Sequence, residues 1–345
     1  ISKGGRHSVI NTLYTIFCKT PNWLLKLFVF KKPSLINGQV LDLKSSIIIN
    51  FITKQLPMLS EDTNIDSARI QREAIKLQLS NKPICTVNFK DEFLATSESE
   101  VLLREYVPDN LEYQKCMLFF HGGGHVFGGK ETHHDFLMYF ASLLKIKVYA
   151  LDYRLAPEFP FPADIEDAEM ALNYLHTEKL IPVEDLVLCG DSAGAGVSAG
   201  LTASLILNNK PYPSLQFLIY PMLDPSCSSK TMQDYAEGYY LTEKSMKFFW
   251  DKYSSKREDH QDPRFNLMLS AKALDSYPKT HIVTAGFDPL CGEAEDFALG
   301  LYNKGFDITQ SHYPNMFHAF INFNKIPACD IALKDLAASI RGWYE

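Results

Sequence analysis

Ser192 stands between two glycines in Gly190-Asp191-Ser192-Ala193-Gly194, where two unlike stretches meet. Before it, Leu186-Val187-Leu188-Cys189 is a compact apolar run with the length of a buried strand. After it, Ala195 to Leu207 is small and apolar, which predicts a tightly packed helix. Strand, sharp turn and helix form the context in which a G-x-S-x-G sequence presents a serine hydroxyl as a nucleophile. Bulky neighbours would block such a turn, so Gly190 and Gly194 make room where side chains would collide. The competing reading is a helix start with Ser192 as its N-cap.

A second glycine cluster, His121-Gly122-Gly123-Gly124, directly follows the apolar run Cys116 to Phe120. Consecutive glycines leave backbone N–H groups open to a ligand and can hold an oxygen that turns negative as an acyl carbon becomes tetrahedral. A phosphate cradle is the alternative. However, Gly124, Gly128 and Gly129 do not spell G-x-G-x-x-G, and no Lys-Ser pair follows. Gly194-Ala195-Gly196 mimics a dinucleotide loop only faintly. Asp288, in Asp288-Pro289-Leu290, follows a predicted strand at His281 to Ala285. His318, in Phe317-His318-Ala319-Phe320, follows one ending near His312. The order serine, acid, histidine is that of α/β-hydrolases rather than of the serine proteases. Taken singly, Asp-Pro is a turn starter and a lone histidine is a surface residue. His312 competes with His318, but a place inside a strand would aim it sideways. His121, His125, His133 and His134 lack the carboxylates or cysteines that would make them a metal site.

The elements that must carry these residues alternate. Strands are expected at Cys116–Phe120, Lys147–Leu151, Leu186–Cys189, Leu215–Ile219, His281–Ala285 and Ile308–His312. Helices are expected at Asp135–Leu144, Ala163–Thr177, Ala195–Asn208, Gly292–Lys304 and Ile331–Tyr344. This rhythm predicts an α/β fold, a mostly parallel central sheet with helices on both faces and reactive groups at the carboxyl ends of the strands. Two runs, Ile84–Phe89 and Val101–Val107, suggest an antiparallel start. Residues 1–80 read as an N-terminal helical cap segment, with two short amphipathic helices between Ser8 and Phe30 and further helices from Gln39 to Leu79, the last over Ala68–Leu79. Residues 81–345 read as the catalytic domain. Its stretch 221–274 breaks the rhythm with Tyr235, Tyr239, Tyr240, Phe248, Phe249, Trp250 and Tyr253 and predicts a cap over a pocket, with a helix at Thr242–Tyr253.

The 345 residues suffice for a full core, and 46% hydrophobic with 22% charged residues is ordinary for a globular enzyme. A net charge of −7 argues against nucleic acid as partner. Seven scattered cysteines without a C-x-x-C pair point away from a disulfide framework and toward a reducing, cytoplasmic compartment. Lys19, Pro21 and Lys26 interrupt the apolar stretch near the start, so no transmembrane segment is expected. A chain beginning at Ile1 leaves an upstream leader or anchor open.

The motifs His121-Gly122-Gly123-Gly124, Asp152-Tyr153-Arg154-Leu155-Ala156-Pro157-Glu158, Gly190-Asp191-Ser192-Ala193-Gly194 and Thr284-Ala285-Gly286-Phe287-Asp288-Pro289-Leu290 resemble those of the hormone-sensitive-lipase-like family of α/β-hydrolases, particularly its bacterial carboxylesterases. The resemblance runs from about Ile84 to the C-terminus. It implies Ser192 as nucleophile, His318 as base, Asp288 as its orienter, and the amides of Gly123, Gly124 and Ala193 as the oxyanion hole. It also implies a small-molecule ester as substrate and no cofactor or metal, while the aromatic insertion and the amphipathic N-terminus suggest a covered pocket for esters of short to medium acyl length. A homodimer is compatible with it. His125 stands where that family often has Trp, and His318-Ala319-Phe320 replaces its usual His-Gly-Phe; both bear on substrate preference more than on the triad. The rivals are a ligand-binding member of the same fold, which resembles plant hormone receptors that keep the serine but lose the histidine, and an amidase or deacetylase using the same triad.

Overall fold

Alternation along each strand decides which layer its side chains enter. The computed structural model describes residues 3–27, 35–54, 59–60, 62–74, 79–96, 99–254 and 256–344. The chain opens with helices α1 (Lys3–Lys19) and α2 (Asn22–Lys26), a small hairpin of β1 (Leu35–Ile36) and β2 (Gln39–Val40), and helices α3 (Leu43–Thr53) and α4 (Ile65–Ala74). The main sheet follows: β3 (Val87–Ala95), β4 (Glu100–Pro108), β5 (Cys116–Phe120), β6 (Lys147–Asp152), β7 (Leu186–Asp191), β8 (Leu215–Ile219), β9 (Lys279–Phe287) and β10 (Ile308–Phe317). Their spatial order is β10-β9-β8-β7-β5-β6-β4-β3. All neighbours from β6 to β10 run parallel, whereas β4 is antiparallel to both β3 and β6.

Between the strands lie α5 (Lys130–Leu144), α6 (Ala163–Thr177), α7 (Ala193–Leu207), α8 (Lys230–Asp234), α9 (Glu243–Tyr253), α10 (Leu267–Ala273) and α11 (Cys291–Asn303), and α12 (Pro327–Arg341) closes the chain. Met117 and Phe119 of β5, Val187 and Cys189 of β7 and Val283 and Ala285 of β9 enter the layer of α5 and α12. Leu118 and Phe120 of β5 and Leu186 and Leu188 of β7 enter the opposite layer, with α6 and α7. A helix on both faces explains why these strands are apolar throughout rather than alternating.

The ends of elements differ from the sequence expectation. Helix α5 starts at Lys130 rather than Asp135, because the Thr132 hydroxyl ties back to the Gly129 carbonyl at 2.8 Å. Helix α12 starts at Pro327 rather than Ile331, with the proline in the first turn where no N–H is missed. Strand β3 begins at Val87, not Ile84, and β10 runs on to Phe317 after an irregularity past Tyr313. Helix α4 begins at Ile65 rather than Ala68; residues 75–78 of the expected helix, and 28–30 of the expected amphipathic pair, lie outside the described residues. The N-terminal segment is also divided. Tyr14 and Cys18 of α1 and Ile48, Ile49 and Ile52 of α3 join the core beside α5 and α12, whereas Leu59 and Ala68 pack with Phe248 and Phe249 of α9. Leu59 and Ala68 thus share a core layer with α9.

His281 in β9 donates and accepts through both ring nitrogens, to Thr309 Oγ1 at 2.7 Å and Ser311 Oγ at 3.0 Å on β10. Burial pushes its pKa down to about 4, and burial followed by the nearby His133 does the same to His121. Both rings are neutral in the folded protein and take up protons near pH 6.5 once unfolded. Stability contributed this way is present above pH 6.5 and is lost as pH falls from there toward 4. Thermal melts should show the midpoint dropping across that window. In His281→Gln the slope of stability against pH should be smaller by up to about one proton; an unchanged slope would show that His281 is not neutralised by the fold.

Candidate functional site

The fold sets three side chains at the ends of three parallel strands. Ser192 follows β7 directly, Asp288 follows β9 and His318 follows β10. His318 Nε2 lies 2.9 Å from Ser192 Oγ, and His318 Nδ1 lies 2.8 Å from Asp288 Oδ2. The other Asp288 oxygen accepts the Leu290 amide at 2.9 Å. With Nδ1–H donated to a carboxylate, Nε2 carries the lone pair that faces the hydroxyl. Asp288 is fully buried, and Ser192 and His318 are nearly so. His312 is not a competitor. It stays in β10, where Nδ1 meets Thr284 Oγ1 at 2.9 Å and Nε2 meets Gln39 Nε2 at 3.0 Å.

Ser192 has φ +56° and ψ −121°, a conformation that side chains rarely adopt. Its surroundings enforce it. The Ser192 amide donates to the Ile219 carbonyl of β8 at 2.9 Å, and its carbonyl accepts from the amides of Ala195 and Met222. The glycines are required by contact distance. A Cβ on Gly194 would stand 2.0 Å from the Phe120 carbonyl oxygen, and one on Gly190 would stand 2.3 Å from the Gly194 backbone. Helix α7 can therefore start immediately beside β5.

Because β5 pairs with β7 in the register Phe120↔Gly190, the loop after β5 lies next to the serine turn. Gly123 (φ +136°) and Gly124 (φ +65°) bend this loop, and its fold-back is fixed by the Phe127 amide donating to the Gly123 carbonyl at 2.9 Å. Among the described residues the amides of Gly123 and Gly124 have no hydrogen-bond partner, and Ala193, the first residue of α7, has an amide that no preceding turn can satisfy. The Gly122 amide, by contrast, is spent on Asp191 Oδ1 at 2.8 Å.

Asp191 lies inside the serine motif, and its place in the sequence gives it no evident role. It is a buried hub: besides Gly122, its carboxylate lies 3.1 Å from His133 Nε2 and 3.4 Å from Asn322 Nδ2. Burial alone would raise its pKa, but His133 and the Gly122 amide outweigh that and hold it below the ordinary value. His121 stacks on Tyr153 at 4.4 Å, its Nδ1–H donating to the Gly122 carbonyl at 3.0 Å, and Tyr153 donates to the His121 carbonyl at 2.7 Å. The spacing of these residues along the chain gave no signal; only the strand order brings them together.

His125, at φ +60°, serves a second network. Its Nδ1 meets Asp164 Oδ2 at 2.8 Å, and its ring stacks 3.7 Å from Tyr253 of α9, whose hydroxyl donates to Asp164 Oδ1 at 2.9 Å. It thereby joins the glycine loop to α9. Helix α9 also reaches the loop through Phe249: a Cβ on Gly124 would fall 2.3 Å from its ring. The base of the insertion is pinned where Glu293 accepts the Leu223 amide at 2.7 Å; burial raises its pKa well above the ordinary value. His125 and His133 thus lie against the carboxylates of Asp164 and Asp191, while His134 Nδ1 meets the Tyr106 hydroxyl at 3.1 Å. One set of three metal-type donors does lie together among the described residues: Cys291, Glu295 and His312.

A family model described as the alpha/beta hydrolase fold matches residues 117–322, which include every residue placed above from Met117 to His318. The chain is 31% identical over 284 residues to the ethyl acetate hydrolase of Pseudomonas putida, covering 79% of this chain and 87% of that one. It is 30% identical over 274 residues to the carboxylic ester hydrolase LipN of Mycobacterium tuberculosis, covering 76% and 72%. Among solved structures, a hyperthermophilic esterase from the archaeon Pyrobaculum calidifontis superposes with a TM-score of 0.79 at 29% identity, covering 88% of this chain and 98% of that one. Motif resemblance, strand order and these likenesses agree, and the chain belongs to the α/β-hydrolase fold family, in its hormone-sensitive-lipase-like branch of esterases.

Proposed function

We propose that the protein hydrolyses carboxylic esters of small molecules by two-step acyl transfer, with Ser192 as nucleophile, His318 as general base and Asp288 orienting the imidazole. The observation that carries this reading is the continuous chain from Ser192 Oγ through the His318 ring to Asp288, at 2.9 and 2.8 Å. His318 Nε2 takes the hydroxyl proton as Ser192 Oγ attacks the ester carbonyl carbon. The carbonyl oxygen becomes negative and is held by the amides of Gly123, Gly124 and Ala193, a contribution of roughly 3 kcal/mol per donor. His318 then returns the proton to the leaving alkoxide, which departs as an alcohol. Water, deprotonated by the same ring, attacks the acyl-serine and releases the acid and the free hydroxyl.

The presence of His318 within reach of the serine favours turnover over ligand binding alone. The acidic balance of the chain supports a small-molecule partner over nucleic acid. An acyl group of short to medium length is favoured by Phe249, whose ring stands against Gly124 of the glycine loop. Amide substrates share every step up to departure of the leaving group, so hydrolysis of matched ester and amide pairs separates the two.

Two variants test the assignment. Ser192→Ala should lose about 10⁴-fold or more in kcat/KM on a p-nitrophenyl acyl ester with an unchanged melting curve; turnover within tenfold of the parent would overturn the nucleophile. Phe249→Ala should move the preferred acyl length upward across a C2 to C12 ester series; a profile of unchanged shape would show that this ring does not bound the acyl pocket.

A further inference from the structure

The start of the chain has a charge balance opposite to that of the remainder. Lys3, Arg6, Lys19, Lys26, Lys31 and Lys32 are six of its 34 Lys and Arg residues, while all 41 Asp and Glu residues lie from Asp42 onward. A protein of net charge −7 thus opens with a basic stretch free of acidic residues.

Helix α1 has an inner and an outer stripe, and α2 buries none of its residues. On α1, Tyr14 and Cys18, four residues apart, are buried in the core shared with Cys329 of α12. Lys44 of α3 donates to the Cys18 carbonyl at 2.6 Å. This stripe fastens the helix to the body. Leu13 and Ile16, three apart, are 60% and 57% exposed, and Trp23 and Leu27, four apart, are 67% and 63% exposed. Lys19 follows Ile16 by three residues and Lys26 follows Trp23 by three, so each cation stands one turn from an exposed apolar side chain. Neither lysine has an anionic partner among the described residues. Singly exposed apolar residues are ordinary; four large ones between residues 13 and 27, interleaved with lysines, are more than that. No helix of the described residues is long and apolar enough to cross a membrane. An apolar stripe with basic flanks and a tryptophan is instead the pattern of a segment lying in the plane of a lipid interface.

We propose that the outward face of α1 and α2 docks on an anionic lipid surface, with Leu13, Ile16, Trp23 and Leu27 entering the headgroup–acyl boundary and Lys19 and Lys26 facing the anionic headgroups. A second copy of the chain is the less favoured occupant, since it would bring the same basic stretch against itself. The face also belongs to the part of the molecule that holds the His318 loop. Helix α12, on which α1 rests, follows that loop, and the Asp42 amide just after the hairpin donates to the Asn315 carbonyl of β10 at 3.0 Å. The binding itself does not depend on the hydrolytic assignment.

The full chain is mixed with vesicles of phosphatidylcholine containing about 30% phosphatidylserine, or with phosphatidylcholine alone. Of the three tryptophans, Trp250 is buried and Trp343 half-buried, so a change in emission on docking reports Trp23. The proposal expects co-sedimentation with the anionic vesicles, a blue shift of emission, and release at about 0.5 M salt, where charge attraction is screened beyond a few ångströms. It expects Lys19→Glu/Lys26→Glu and Trp23→Ser/Leu27→Ser each to lower partitioning by about tenfold or more, with turnover of a soluble p-nitrophenyl ester and the circular dichroism spectrum unchanged. Equal pelleting with and without anionic lipid would overturn it. So would variants that bind vesicles like the parent while converting a dimer to a monomer in sedimentation velocity, which would assign the face to a second copy.

Discussion

Ser192 is held in a backbone conformation that costs about 1–3 kcal/mol for a residue with a side chain, and the surrounding architecture exists in large part to impose it. The strand before it cannot relax, because β7 is the middle of a parallel run with β5 on one side and β8 on the other. The helix after it cannot move away, because Gly194 lets α7 press on the Phe120 carbonyl and the Ser192 amide is tied to Ile219. The turn projects the hydroxyl off the sheet edge toward a ring carried by a strand three places away. Packing on both sides of β7 is therefore what positions the Ser192 hydroxyl.

The same constraint explains the cluster of buried polar groups beneath the glycine loop. A loop of unpartnered amides is a liability unless something else fixes its shape. Asp191 does so by taking the Gly122 amide, leaving those of Gly123 and Gly124 open; His121 and Tyr153 brace the other side. The cost of burying the Asp191 carboxylate is offset by His133 and the amide it accepts. His125, tied to Asp164 and stacked on Tyr253, extends this bracing into the cap, so the shape of the loop and the position of α9 are coupled. The Asp152-to-Glu158 motif works in the same direction, with Arg154 paired to Asp167 of α6 and Arg69 of α4 reaching Glu158.

Much of this was legible in the sequence. The α6 boundaries at Ala163 and Thr177, the strand Cys116–Phe120, and the placing of a serine, an acid and a histidine after three strands followed from apolar run lengths and glycine positions alone. Less legible were element ends, where Thr132 and Pro327 set the start of a helix through local capping that periodicity does not register. The Asp191, His133 and Asn322 contacts were not legible at all, because residues far apart in the chain meet only once the strand order is known. The helices of the N-terminal segment share an amphipathic pattern, which does not tell which layer each one meets. Tyr14 and Cys18 join the core that holds Cys329 of α12, whereas Ala68 joins the one that holds Phe248 and Phe249 of α9.

The central claim is that one oxygen in the molecule is made nucleophilic by its neighbours. Incubation of the purified protein with diethyl p-nitrophenyl phosphate, followed by peptide mass mapping, tests it without reference to any substrate. The account predicts a single diethylphosphoryl group on Ser192, and none when His318 is replaced by alanine. Modification at another residue, or labelling of Ser192 that persists at the same rate without the imidazole, would contradict it.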